Sequence, residues 1–155
     1  MLELCQRIKK WHREVGENLH IGVLALQGDY AEHINMLHSN NADVSEIRLP
    51  SQLDDVDGLI IPGGESTTIV QLIDIYDFRT KLVEMASEGF PIWGTCAGMI
   101  VMARELTDHR PAPLNLMNIK VSRNAFGRQI DSFEEDLTIK GIEGKFPAVF
   151  IRAPI

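Results

Sequence analysis

Three short, almost wholly apolar runs constrain this chain most. They are residues 21–26 (Ile-Gly-Val-Leu-Ala-Leu), 58–61 (Gly-Leu-Ile-Ile) and 90–93 (Phe-Pro-Ile-Trp). Each is too short for a helix and reads as an apolar strand, residues 21–26 apolar enough to be buried on both faces. Between them the apolar residues recur at helical spacing: Tyr30, Ile34 and Leu37, then Ile69, Leu72 and Ile73, then Phe78, Leu82, Val83, Met85 and Ala86. Residues 44–49 alternate like an edge or half-buried strand. Strand–helix alternation of this kind predicts an α/β fold, a parallel sheet flanked by helices on both faces. Asp29 is expected to cap the first helix, Ser66 or Thr67 the second, and Gly89 to stop the third. Beyond Pro111 and Pro113 the pattern changes. Residues 118–121, 128–133 and 137–139 read as a small antiparallel addition, with Phe126-Gly127 as a turn, and 147–151 as one more apolar segment.

With 155 residues, 45% of them apolar, a single domain with a real core is expected. Fifteen basic against twenty-two acidic residues leave a net charge of −7, without a basic cluster able to track a phosphate backbone, which argues against nucleic acid. No apolar run reaches the ~20 residues of a membrane span. Two cysteines, Cys5 and Cys96, make no C-x-x-C pair or disulfide framework, which suits a reducing cytoplasm. The five histidines show no metal-ligand spacing with them, so no zinc site is expected. Residues 1–19, with Leu2, Leu4, Ile8 and Trp11 in a short amphipathic pattern broken at Gly16, read as an extension outside a main unit of 20–155.

The chemistry points to Gly94-Thr95-Cys96-Ala97-Gly98, where the third run turns into a helix. A G-x-C-x-G turn is the thiol counterpart of the strained elbow that presents a serine nucleophile. Cys96 would sit at a helix N-terminus, where a thiol can fall from about 8.5 to roughly 3.5–7.5. The plain alternative is a buried structural cysteine between two glycines. As a nucleophile, Cys96 would need an oxyanion hole, for which the Ala97 N–H and a backbone N–H of Gly63-Gly64 are candidates. It would also need a substrate anchor, and Arg123 and Arg152, each near a strand edge, offer forks for a carboxylate. A base is harder to find. His109 is the only histidine after the elbow, past a helix that leads away from it; His33 and His38 read as rim histidines.

Leu24-Ala25-Leu26-Gln27-Gly28, Pro62-Gly63-Gly64-Glu65-Ser66-Thr67, Gly94-Thr95-Cys96-Ala97-Gly98-Met99 and Arg123-Asn124-Ala125-Phe126-Gly127-Arg128-Gln129 occur here in that order. Together they resemble the glutaminase subunits of pyridoxal 5′-phosphate synthases, of the class I (triad) glutamine amidotransferase family, over residues 20–155. The resemblance implies a flavodoxin-like fold and no cofactor. It implies that Cys96 attacks the side-chain amide of L-glutamine, forming a thioester that water hydrolyses to glutamate. Gly64 and Ala97 would supply the oxyanion N–H groups, and Gly64, Glu65, Ser66, Arg123, Ile151 and Arg152 would line the glutamine pocket. Ammonia would pass to a (β/α)₈ synthase subunit in a hetero-oligomer. Docking on that subunit would complete the oxyanion hole, with the Gln27 loop on the partner side. The family's His-Pro-Glu motif, which carries its base and its glutamate, has no match in the 155 residues. The domain is therefore expected to lack a C-terminal segment, to leave strand edges exposed and to associate readily. Two other readings follow: a non-catalytic subunit that only binds or regulates the synthase, or another cysteine enzyme using His109.

Overall fold

The structure, a computed structural model, describes residues 19–108, 110–123 and 132–150. Strand β1 (His20–Leu24) leads to helix α1 (Tyr30–Ser39), then strand β2 (Asp43–Ile47). A 3₁₀ turn at Pro50–Asp55 leads into β3 (Gly58–Ile61), helices α2 (Ser66–Ile75) and α3 (Phe78–Ser87), and β4 (Ile92–Gly94). Helix α4 (Ala97–Met102) is followed by strands β5 (Ala103–Leu106), β6 (Met117–Val121), β7 (Phe133–Leu137) and β8 (Phe146–Phe150).

Strands β1 to β4 form one parallel sheet in the order β2-β1-β3-β4. The chain steps outward from β1 to β2, returns past β1 to β3, and continues to β4. The order therefore reverses between β1 and β3. Right-handed connections then put α1 on one face of the sheet and α2 and α3 on the other. On the second face, Leu24, Leu59 and Ile61 pack with Ile69 and Ile73 of α2, Phe78 and Leu82 of α3, and Val101 of α4 in one buried cluster. Each such side chain contributes about 1.5–3 kcal/mol relative to exposure. Leu53 of the 3₁₀ segment is fully buried in that cluster, so this short segment replaces a longer helix in the β2–β3 connection. Gln52 fixes this turn, its Oε1 accepting from the N–H groups of Arg48 and Leu49 at 2.8 Å each.

The other face has thinner cover. Helix α1 has no fully buried residue, and beside it lies a groove of about 350 Å³ lined by Ile21, Leu37, Ile60, Pro91 and Trp93. Trp93 is 64% exposed.

The later strands depart from expectation. The helix after the elbow is only six residues long, and β5 follows it directly, a strand that sequence reading missed. Strand β6 was expected to be antiparallel, yet it pairs in parallel with β5. The reason is the connection: residues 110–116 run back past the end of α4, with Leu114 N–H donating to Val101 O at 2.8 Å and Leu116 N–H to Met102 O at 2.9 Å. Strands β7 and β8 do form the small antiparallel pair, Phe133 stacking on Phe150 with centroids 4.7 Å apart. The expected strand at 137–139 belongs instead to the end of β7 and the turn after it. Residues 128–131 and the Phe126-Gly127 turn lie outside the described residues.

Two capping expectations are corrected. Asp29 occupies the N-cap of α1, but its side chain makes no capping bond; its backbone N–H donates instead to Gly63 O at 3.0 Å. Helix α2 is capped by neither Ser66 nor Thr67 but by Glu65, whose Oε2 accepts from Thr68 N–H at 2.7 Å and Thr68 Oγ1 at 3.0 Å. A carboxylate reaches the third N–H as readily as a hydroxyl and adds a charge favoured at the positive end of the helix.

Candidate active site

Open parallel sheets bind ligands in the crevice outside the carboxyl ends of their strands, where the strand order reverses. Here that crevice lies between the segments leaving β1 and β3, with the end of β4 beside them. The three segments carry Gln27-Gly28-Asp29, Pro62-Gly63-Gly64-Glu65 and Thr95-Cys96.

The elbow is strained and tightly packed. Cys96 has φ 51° and ψ −110°, a backbone conformation that residues with a Cβ rarely adopt and that costs on the order of 1–3 kcal/mol. Its thiol is free and the residue is exposed. The bend is held from both sides: Thr95 N–H donates to Ile61 O at 3.0 Å and Gly98 N–H to Thr95 O at 2.8 Å. A Cβ on Gly98 would lie 2.0 Å from Ile61 O, and one on Gly94 would lie 2.5 Å from Gly98 C. Only glycine lets β3, β4 and α4 approach this closely.

The Pro62–Glu65 loop lies against the elbow. A Cβ on Gly63 would lie 3.5 Å from the Cys96 Cβ, so the loop runs beside the Cys96 side chain. The loop is fastened to the segment after β1 by the Asp29–Gly63 bond and by a second from Glu65 N–H to Gln27 Oε1 at 3.0 Å. Gly28, at φ 97°, is required for that approach, since a Cβ there would sit 1.8 Å from Gly63 O. Gly64 is exposed, whereas Ala97, the first residue of α4, is buried.

Arg123 follows β6 and reaches across to the start of α2. Its Nη1 donates to Ser66 Oγ at 3.0 Å and to Thr67 Oγ1 at 3.4 Å, while Nε and Nη2 donate to Asp108 Oδ2 at 2.9 and 2.6 Å. Ser66 is buried and the Arg123 side chain is only 18% exposed, so the guanidinium is largely screened from water. Glu65 precedes Ser66 as the cap of α2. Partial burial raises its carboxyl, but hydrogen bonds from the backbones and hydroxyls of Thr68 and Thr67 prevail and hold it below the usual carboxylate value.

Sequence reading took His33 for a rim histidine. It is half-buried, its Nε2 lies 2.8 Å from Thr95 Oγ1, and its ring meets Trp93 edge-on at 6.4 Å. The signal was present, because position 33 falls three after Tyr30 and four before Leu37, on the sheet-facing stripe of α1. Asp108 was missed because its placement depends on β5. Ile151, Arg152, His109 and Cys5 lie outside the described residues. Among the described residues, no group of three or more His, Cys, Asp or Glu could hold a metal ion, and no helix is long and apolar enough to cross a membrane.

The family model of the SNO glutamine amidotransferases matches residues 23–155. The chain belongs to that family. It is 54% identical over 136 residues to the "Pyridoxal 5′-phosphate synthase subunit PdxT" of Bacillus velezensis, covering 88% of this chain and 69% of that relative. It is 50% identical over 134 residues to the protein of the same description from Thermosipho africanus, covering 86% and 71%. A solved structure described as a glutamine amidotransferase superposes with a TM-score of 0.81 at 44% identity, over 87% of this chain and 72% of that one. The fold is thus that of the glutamine amidotransferases, flavodoxin-like, and the resemblance read from the four motifs holds for the family as a whole.

Proposed function

We propose that this chain is the glutaminase subunit of a pyridoxal 5′-phosphate synthase, with Cys96 as nucleophile. One observation carries the reading: an exposed thiol on a positive-φ elbow lies beside the Gly63-Gly64 loop, and the Arg123 guanidinium is hydrogen-bonded to Ser66 at the start of the helix that follows this loop. Its membership of the amidotransferase family and the names of its relatives support it.

In this reading the Cys96 Sγ attacks the side-chain carbonyl carbon of L-glutamine. The N–H groups of Ala97 and Gly64 receive the developing oxyanion, a contribution of about 3–4 kcal/mol per donor in comparable sites. The C–N bond breaks, the nitrogen takes the proton given up by the Cys96 thiol and leaves as ammonia, and a γ-glutamyl thioester remains. Water then cleaves the C–S bond, releasing glutamate and restoring the thiol. Arg123 binds the α-carboxylate, while Glu65 and Ser66, with Ile151 and Arg152, complete the pocket. His33 is engaged by Thr95 and is not assigned as the base.

The ammonia is delivered to a (β/α)₈ synthase subunit in a cytoplasmic hetero-oligomer. Residues 20–155 belong to the glutaminase unit and 1–19 are an extension to it. The test is glutamate release from L-glutamine by the chain mixed with the synthase subunit. Release that Cys96→Ala abolishes is expected. Complex formation on a sizing column without release would favour a subunit that only binds.

A further inference from the structure

We infer that Asp108 is a positioning residue for glutamine binding, acting by aiming Arg123. The inference rests on the reading of Arg123 as the carboxylate anchor. Strands β5 and β6 are parallel neighbours, Leu106 opposite Val121, and Thr107 N–H donates to Val121 O at 3.0 Å. Asp108 and Arg123 follow two residues beyond that pair on each strand, so the register sets them side by side. An arginine fork can be approached along its Nε/Nη2 edge or across its Nη1/Nη2 end. Asp108 takes the first edge through a single oxygen, Oδ2. Ser66 and Thr67 meet Nη1 at the second. The guanidinium plane is therefore fixed by an ion pair on one side and by the start of α2 on the other. Its end-on face, with a remaining N–H of Nη2, is directed to the α2 side, where the glutamine carboxylate would bind.

Without Asp108, Arg123 would regain rotation about its terminal bonds, and a carboxylate would have to order the side chain on binding. The carboxylate of Asp108 also has an opposite effect, since it offsets part of the positive charge offered to the substrate. Geometry decides between the two. Asp108 sits on the edge away from Ser66 and its side chain is 47% exposed, where solvent weakens its field. The orientation it imposes is not weakened in this way.

The test is calorimetric titration of L-glutamine into the full chain carrying Cys96→Ser, with and without the synthase subunit. Asp108→Ala is expected to weaken binding about tenfold, a loss typical of one orienting charge-assisted hydrogen bond. Asp108→Asn, which keeps an acceptor, is expected to recover most of it. In an Arg123→Lys background Asp108→Ala is expected to add nothing, because two residues acting through one contact are not additive. Unchanged or tighter binding in Asp108→Ala would overturn the inference, as would full additivity with Arg123→Lys. If Arg123→Lys itself binds glutamine as well as the parent, the anchor reading fails instead.

Discussion

The Nε2 atom of His33 and the Oγ1 atom of Thr95 lie 2.8 Å apart, joining helix α1 to the residue that precedes the candidate nucleophile. Thr95 also takes part in both backbone bonds that shape the elbow. A side chain 62 positions earlier in sequence thus braces the turn. His33→Ala is expected to reduce glutaminase kcat about 10- to 100-fold with a smaller change in KM, the scale set by sub-ångström misplacement of a reacting group. His33→Gln, whose amide can still reach Thr95, is expected to recover much of the loss. Steady-state kinetics with the synthase subunit present measures both.

Gly98→Ala should fail structurally. A methyl group 2.0 Å from Ile61 O can be accommodated only if β3 and α4 separate. A loss of about 3 kcal/mol or more is expected, visible as a lower urea midpoint or as insoluble protein.

Cys96→Gly should separate stability from chemistry. Glycine tolerates φ 51°, so relief of strain is expected to exceed its entropic cost by about 1 kcal/mol. Thermal unfolding should therefore shift upward while glutamate release disappears. A variant less stable than the parent would show that the elbow is not strained.

Glu65 gives a pH signature. Its carboxyl is held below the unfolded value of about 4.5, so its cap contributes fully above that value. The contribution falls as pH drops through the lower, folded-state value. At neutral pH Glu65→Ala is expected to cost about 1 kcal/mol of stability. The gap between parent and variant should close below the usual carboxylate range, as followed by denaturant unfolding from pH 7 to 3.

Much of this was readable from residues alone. The runs at 21–26, 58–61 and 90–93 each lie on a strand, and the helices at 30–39 and 78–87 match their expected bounds, because short apolar runs and helical spacing are local signals. Gly94 and Gly98 marked the elbow, and four motifs in order pointed to the family. Other features are pairings between distant segments. The parallel match of β5 with β6 depends on a connection that returns past the end of α4, and composition does not encode its direction. Without β5, Asp108 was only one residue of a polar turn, and its bond to Arg123 was not visible. His33 carried the spacing of a sheet-facing residue, but only the docking of α1 on the sheet, with the His33 ring edge-on to Trp93, brought it to Thr95. The sequence by itself determined the strands and helices of the parallel sheet, the cysteine elbow and the family, since these rest on local backbone preference and close-approach glycines. Tertiary structure decided which side chains brace the elbow and aim the arginine, because hydrogen bonds across 62 and 15 positions exist only once the strands have taken their register.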